Sequence, residues 1–191
     1  MPKQRITREM VVDAAFALAR EGGMERVLVK DIAARLSCSV QPIYSCFRNM
    51  EELRRAVEGR TAQFLADYLS ARLAPGDLFR STGRAYVQLA RDEPELFKIF
   101  ILRRREGVSS LDGLYRAEAS PGVADTIAES LGLDQAAARR LHLDMLIYTV
   151  GLGTIFSVST PGIPAEELYA QQERAYQAFL NHAREENNHE S

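Results

Sequence analysis

Gln41 and Ser45 stand four residues apart in the run Ser39-Val-Gln-Pro-Ile-Tyr-Ser-Cys-Phe47. On a helix that spacing puts both on one face. Ile43 and Phe47, also four apart, share another. A glutamine amide offers a donor and an acceptor side by side, which suits the N6 and N7 edge of adenine in a major groove. Ser39 reads as the helix start, where orphan amides and its hydroxyl suit a phosphate. The chemistry these types could do is recognition of a base edge and an anion, without bond making. Other reactive side chains do not assemble. His142, His182 and His189 have no partner at metal-ligand spacing. Cys38 and Cys46 form no Cys-x-x-Cys pair, and Cys46 reads as a small helix residue rather than a redox sensor. Asp92, Glu93 and Glu95 precede a helix, where acids favour its dipole. With no glycine-rich phosphate loop, the residues predict neither an enzyme nor a metal or cofactor.

The elements that must position this face are helices. Thr7 caps a first one, with Val11, Ala14, Ala15 and Leu18 as its apolar stripe and Gly22-Gly23 as its end. A second, short stripe is Val29, Ile32, Ala33 and Leu36. A third is Val40, Ile43, Tyr44 and Phe47, beyond the turn Ser37-Cys38-Ser39. Two short helices around such a turn have helix-turn-helix spacing. In that motif the second helix enters the major groove. A plain helical core with a short linker fits the same periodicity. Asn49 then caps a helix from Met50 to about Leu73, with Glu52 as capping-box partner. Further helices are predicted over 77–93, 94–105, 109–119, 123–131, 134–159 and 165–184, with a frayed tail from Glu185. No segment reads as a strand, so the fold class is all-α.

Composition is that of an ordinary globular chain: 191 residues, 46% hydrophobic, 26% charged, net −2. The charge is unevenly spread. Residues 1–60 hold 11 Lys+Arg against 8 Asp+Glu, so the first third is net positive and the rest net negative. A basic head suits an anionic partner, although uneven solvated charge reads the same way. Two cysteines fit a reducing compartment, and no apolar leader follows the opening residues. The longest apolar stretch, Met145–Val158, falls short of the roughly 18 residues of a membrane span. These features predict a cytoplasmic chain without a membrane partner.

The run from Val29 to Leu53 resembles the DNA-binding domain of the tetracycline-repressor (TetR) family. It shares that family's Ile32-Ala33, its Tyr44 and Phe47 at their spacing, and its helix starting near Glu51-Glu52-Leu53. The resemblance is detailed over residues 6–57. It implies a helix-turn-helix domain over 1–50 and a helical ligand-binding and dimerisation domain over 51–191. It places Lys30 near a phosphate or base. Val40, Gln41, Pro42 and Cys46 face the major groove, and Tyr44 meets the backbone. Lys3 and Arg5 reach phosphates as an arm, or are a solvated tail. Three positions depart from the family: Leu28 for a capping Ser or Thr, Ser37 for a turn glycine, and Met50 for a phosphate-binding Lys. Arg48 is placed to replace one lost contact.

The same resemblance implies a homodimer formed through the last two long helices on double-stranded operator DNA. The apolar character of Met145–Val158 independently asks for a partner. A small-molecule effector is implied among the middle helices. Phe97, Phe100, Ile101, Arg104, Tyr115, Tyr148 and Phe156 are its candidate contacts, each also readable as core or as a solvated helix end. Two rivals stay open on the residues alone: a helical adaptor without DNA binding, and an enzyme without a recognisable motif.

Overall fold

Thr7 Oγ1 accepts the Met10 N–H at 3.2 Å and opens α1 (Arg8–Gly22), filling one of the donors that every helix start leaves orphaned. The computed structural model describes residues 5–103, 105–159 and 162–189. Lys3 and Arg104 lie outside the described residues. After α1 come a 3-10 turn (Met24–Arg26), α2 (Val29–Arg35), α3 (Gln41–Cys46), α4 (Met50–Ser70), α5 (Leu78–Asp92), α6 (Pro94–Ile101), α7 (Leu111–Glu118), α8 (Val123–Leu131), α9 (Gln135–Ser159) and α10 (Ala165–His189). Among the described residues there is no strand.

The helices fall into two compact units. One comprises the chain through Ala71 with Leu89–Arg103; the other comprises Arg72–Gln88 with the chain after Arg103. The first therefore extends past residue 50, because Leu53 and Val57 of α4 complete its core. That core begins at Val11 and runs through Ala15, Leu18, Val27, Ile32, Ile43 and Phe47 to Val57. Within this unit α6 is also tied to α1. Arg20 Nε donates to Glu93 Oε2 at 2.7 Å, and Arg20 Nη2 bonds the other carboxylate oxygen. Gly23 follows α1 at φ 79°, and a Cβ there would sit 2.8 Å from the Glu25 carboxylate and 3.0 Å from that of Glu95.

The second unit is built on α8, α9 and α10, with Ala137, Leu141, Met145, Tyr176 and Leu180 buried. On α9 the residues Leu141, Met145, Thr149 and Gly153 form the buried stripe. Ile147, Ile155 and Val158 lie exposed on the opposite side. The whole of α9 is long and apolar enough to cross a membrane, contrary to the shorter stretch read from the sequence, and a third of its most apolar window is buried inside the protein. A core helix of a soluble protein passes the same test.

Two helix ends differ from expectation. α6 stops at Ile101, where the Arg103 guanidinium bonds the Phe100 carbonyl and closes the turn. α10 continues to His189, past the predicted end at Arg184. An Arg140–Glu186 ion pair at 2.9 Å ties that extra turn to α9.

His142 gives this unit a pH dependence. Its Nδ1 is 3.1 Å from the Tyr115 hydroxyl, and the rings of Tyr115 and Phe79 meet it edge-on. Burial holds its pKa below the ordinary value. The unfolded chain therefore takes up the proton first as pH falls, and stability is full above about pH 6.5 and declines below it. His142→Gln should flatten the fall in melting temperature below about pH 6.5; an unchanged profile would contradict this.

Candidate nucleic-acid interface

The geometry between α2 and α3 starts from how α2 ends. The Cys38 N–H reaches the Ala33 carbonyl at 3.0 Å and the Ser37 N–H reaches Ala34 at 3.1 Å. This pair of bonds is the Schellman closure, and it needs a left-handed residue at the position after the cap. Ser37 occupies that position at φ 51°, the one non-glycine with positive φ among the described residues. A left-handed L-residue costs about 1–2 kcal/mol, partly offset by the entropy a glycine would lose, so Ser37→Gly is expected to stabilise by about 0.5–1 kcal/mol. A urea midpoint that falls instead would contradict this assignment.

The turn delivers α3 with its two faces separated. Ile43 and Phe47 are buried in the N-terminal core. Gln41 and Ser45 are exposed, as are Val40 and Tyr44, which are 42% and 55% exposed. The Ser45 hydroxyl donates to the Gln41 carbonyl at 3.1 Å, within the helix. The Gln41 amide makes no hydrogen bond among the described residues, and so presents its full donor and acceptor pair. Pro42 is half-buried in the first turn, where its missing N–H is harmless. Lys30 and Arg48 are exposed and in no ion pair among the described residues, and Arg5 is exposed ahead of α1.

Three expectations shift. Ser39 is exposed but lies in the turn; Val40 is the residue that flanks α3, without a side-chain cap. Cys46 is half-buried and packs against the core, because α3 turns that position toward α1. Leu28 flanks α2 with no cap bond, as its substitution for Ser or Thr implied. At the next junction Asn49 Oδ1 accepts the Glu52 N–H at 2.8 Å, as expected. The return bond differs: the Glu52 carboxylate takes the Arg48 N–H at 2.9 Å, one residue before the cap. That bond, with Arg8, holds the Glu52 carboxyl below the usual carboxylate range. Arg8 went unread in the sequence. Its Nη1 donates to the Cys46 carbonyl at 2.7 Å, lies 3.1 Å from Glu52 Oε1, and its guanidinium stacks 4.0 Å from the Phe47 ring centroid.

Residues 11–57 match the model of the bacterial regulatory proteins of the tetR family. These limits coincide with the first and last buried residues of the N-terminal core, Val11 and Val57. The N-terminal domain belongs to the TetR family. The TetR helix-turn-helix is a DNA-binding element, and the chain is a transcription regulator on that ground. A crystal structure of a transcriptional regulator from Rhodococcus sp. Rha1 shares the fold, with a TM-score of 0.60 and 18% identity over 92% of this chain and 97% of that one. No curated protein matches the sequence.

The effector residues named from the TetR resemblance are placed in both units. In the first, Phe97 and Ile101 are buried and Phe100 is half-buried, with Arg103 stacked on its ring at 4.8 Å. In the second, Phe156 is buried and Tyr148 packs edge-on to Phe179 at 6.3 Å. Tyr115 borders a groove of about 300 Å³ with Ala124, Gln135, Ala136 and Arg139. The Arg139 guanidinium stacks on the Tyr115 ring at 4.7 Å. Among the described residues no His, Cys, Asp and Glu cluster could hold a metal ion.

Proposed function

We propose that this TetR-domain protein is a cytoplasmic, ligand-responsive repressor. It binds a palindromic operator as a homodimer and is released by a small molecule. The observation that carries the reading is the exposed face of α3, where Gln41, Val40 and Tyr44 point outward while Ile43 and Phe47 are sunk in the core. The functional division is a DNA-binding part over 1–50 and an effector and pairing part over 51–191. Gln41 reads adenine, and Val40 and Pro42 pack on thymine methyls. Lys3, Arg5, Lys30, Ser39, Tyr44, Ser45 and Arg48 serve the backbone and the groove wall, with Cys46 behind them.

Pairing is supported by α9, where Ile147, Ile155 and Val158 lie exposed. A Cβ at Gly151, between them, would meet nothing within 4 Å. The same stripe offers a second copy close helix approach. The effector is read as an apolar molecule, with the groove beside Tyr115 in the second unit as its point of access. It acts by preferring one spacing of the paired recognition helices over another.

The test is a mobility shift of the full-length chain on DNA flanking its own gene, across a salt series. A shift as a dimer supports the reading, and no shift at any salt supports an adaptor. Leu28 and Met50 remove two phosphate contacts per subunit, so the slope of log K against log salt should be clearly shallower than about −10, at about 0.9 per contact. A slope near −10 would contradict the assignment of those positions. Release from DNA by a compound that also raises the melting temperature would support the effector.

A further inference from the structure

Arg8 is basic, half-exposed, and stands at the first turn of α1, three residues after the exposed Arg5. Position and charge alone would make it another phosphate contact. It also lies outside residues 11–57, so the TetR match assigns it nothing. We infer that Arg8 is a positioning residue: it closes the C-terminal end of the recognition helix and sets the pitch of α3 against α1 and α4, without touching DNA. The inference rests on the DNA-binding reading of α3.

α3 is short. Six residues make less than two turns, too few for a helix to hold itself in water. Its last carbonyls have no partner inside the helix. Its direction must therefore come from outside. Three consecutive residues at its end are held by two side chains, Arg8 and Glu52. The Cys46 carbonyl accepts from Arg8 Nη1 at 2.7 Å. The Phe47 ring lies under the Arg8 guanidinium at 4.0 Å. The Arg48 N–H donates to the Glu52 carboxylate at 2.9 Å. Glu52 also pairs with Arg8 at 3.1 Å, so a side chain from α1 and one from α4 close on the same turn.

The fork of the guanidinium suits this task. One nitrogen serves a carbonyl and a carboxylate while the flat face rests on an aromatic ring, where a cation is favoured. With Glu52 balancing its charge and its plane committed to Phe47, Arg8 is set to hold α3. Base readout tolerates about half an ångström of misplacement in a supporting residue. Phosphate attraction tolerates far more. Loss of Arg8 should therefore damage sequence preference and spare general affinity.

The test uses the full-length chain. Wild type first selects a duplex from a random-sequence pool. Affinity for that duplex and for a scrambled one is then measured across a salt series for wild type, Arg8→Met, Arg8→Lys and Glu52→Gln. Arg8→Met is expected to weaken the selected duplex about tenfold, the scale of one charge-assisted hydrogen bond, with scrambled affinity and salt slope unchanged. Arg8→Lys should recover only part, because an ammonium lacks the fork and the plane. Glu52→Gln should repeat the selective loss, and it carries the test if Arg8→Met does not fold. Equal losses on both duplexes, with a slope shallower by about 0.9, would make Arg8 a phosphate contact and overturn the inference. Full rescue by Arg8→Lys, or no selective loss in Glu52→Gln, would overturn it too. A wild type that selects no duplex removes the DNA reading itself; one that does, beside variants without selective loss, removes only the role of Arg8.

Discussion

Gln41→Ala should weaken binding to the operator by about 2–6 kcal/mol in a dimer, on the scale of 1–3 kcal/mol for each bidentate base contact. Affinity for scrambled DNA should stay within about twofold, since Gln41 carries no charge and releases no counterion. The fold should not notice. Gln41 is exposed, its amide bonds nothing among the described residues, and alanine is a good helix former. A competition titration against scrambled duplex reads the difference. Equal losses on both duplexes would remove the readout role and leave Gln41 as a spectator on the surface.

Ile155→Glu should break the pairing that the operator reading needs. Ile155 is 56% exposed in the single chain and lies between the exposed Ile147 and Val158 on one side of α9. In the proposed pair this stripe is covered twice over, so each copy would bury an unpaired carboxylate beside its mate's. Burying an uncompensated charge is strongly unfavourable, and the group's alternatives are protonation or separation. Sedimentation should show a monomer. Operator affinity should drop by about 10²-fold or more, the avidity that linking two binding modules supplies. Each chain should keep its helix content, because the buried stripe of Leu141, Met145 and Thr149 is on the other side of the helix. A variant that remains a dimer would place the pairing surface elsewhere.

Local signals made much of this molecule readable from its residues. Thr7 and Asn49 are caps because an oxygen there meets an amide three residues on, and that geometry is contained in four residues. The stripe Val11-Ala14-Ala15-Leu18 is buried because helical spacing stacks it on one face, whereas of the third stripe only Ile43 and Phe47 are buried and Val40 and Tyr44 are exposed. The departure at Ser37 was legible as a glycine position filled by serine, and the left-handed backbone there explains why a glycine would suit it. What was not legible is long-range. Arg8 meets Cys46 across 38 positions and Arg20 meets Glu93 across 73, and no periodicity announces either. The end of α10 differs for the same reason, since an ion pair from α9 holds it; α6 instead ends early on a local contact, the Arg103 guanidinium on the Phe100 carbonyl three residues back. Cys46 was misjudged on position within a helix too short to have a free choice of face.

The most direct measurement of the central claim is selection of random duplexes by the full-length chain, followed by sequencing of what is retained. The account predicts an inverted repeat whose half-sites lie about one helical turn, or a multiple of it, apart, since paired recognition helices must enter successive grooves. An adenine step that loses its enrichment in the Gln41→Ala variant should sit in each half. Retained pools that match the input, or a single unrepeated motif, would contradict it.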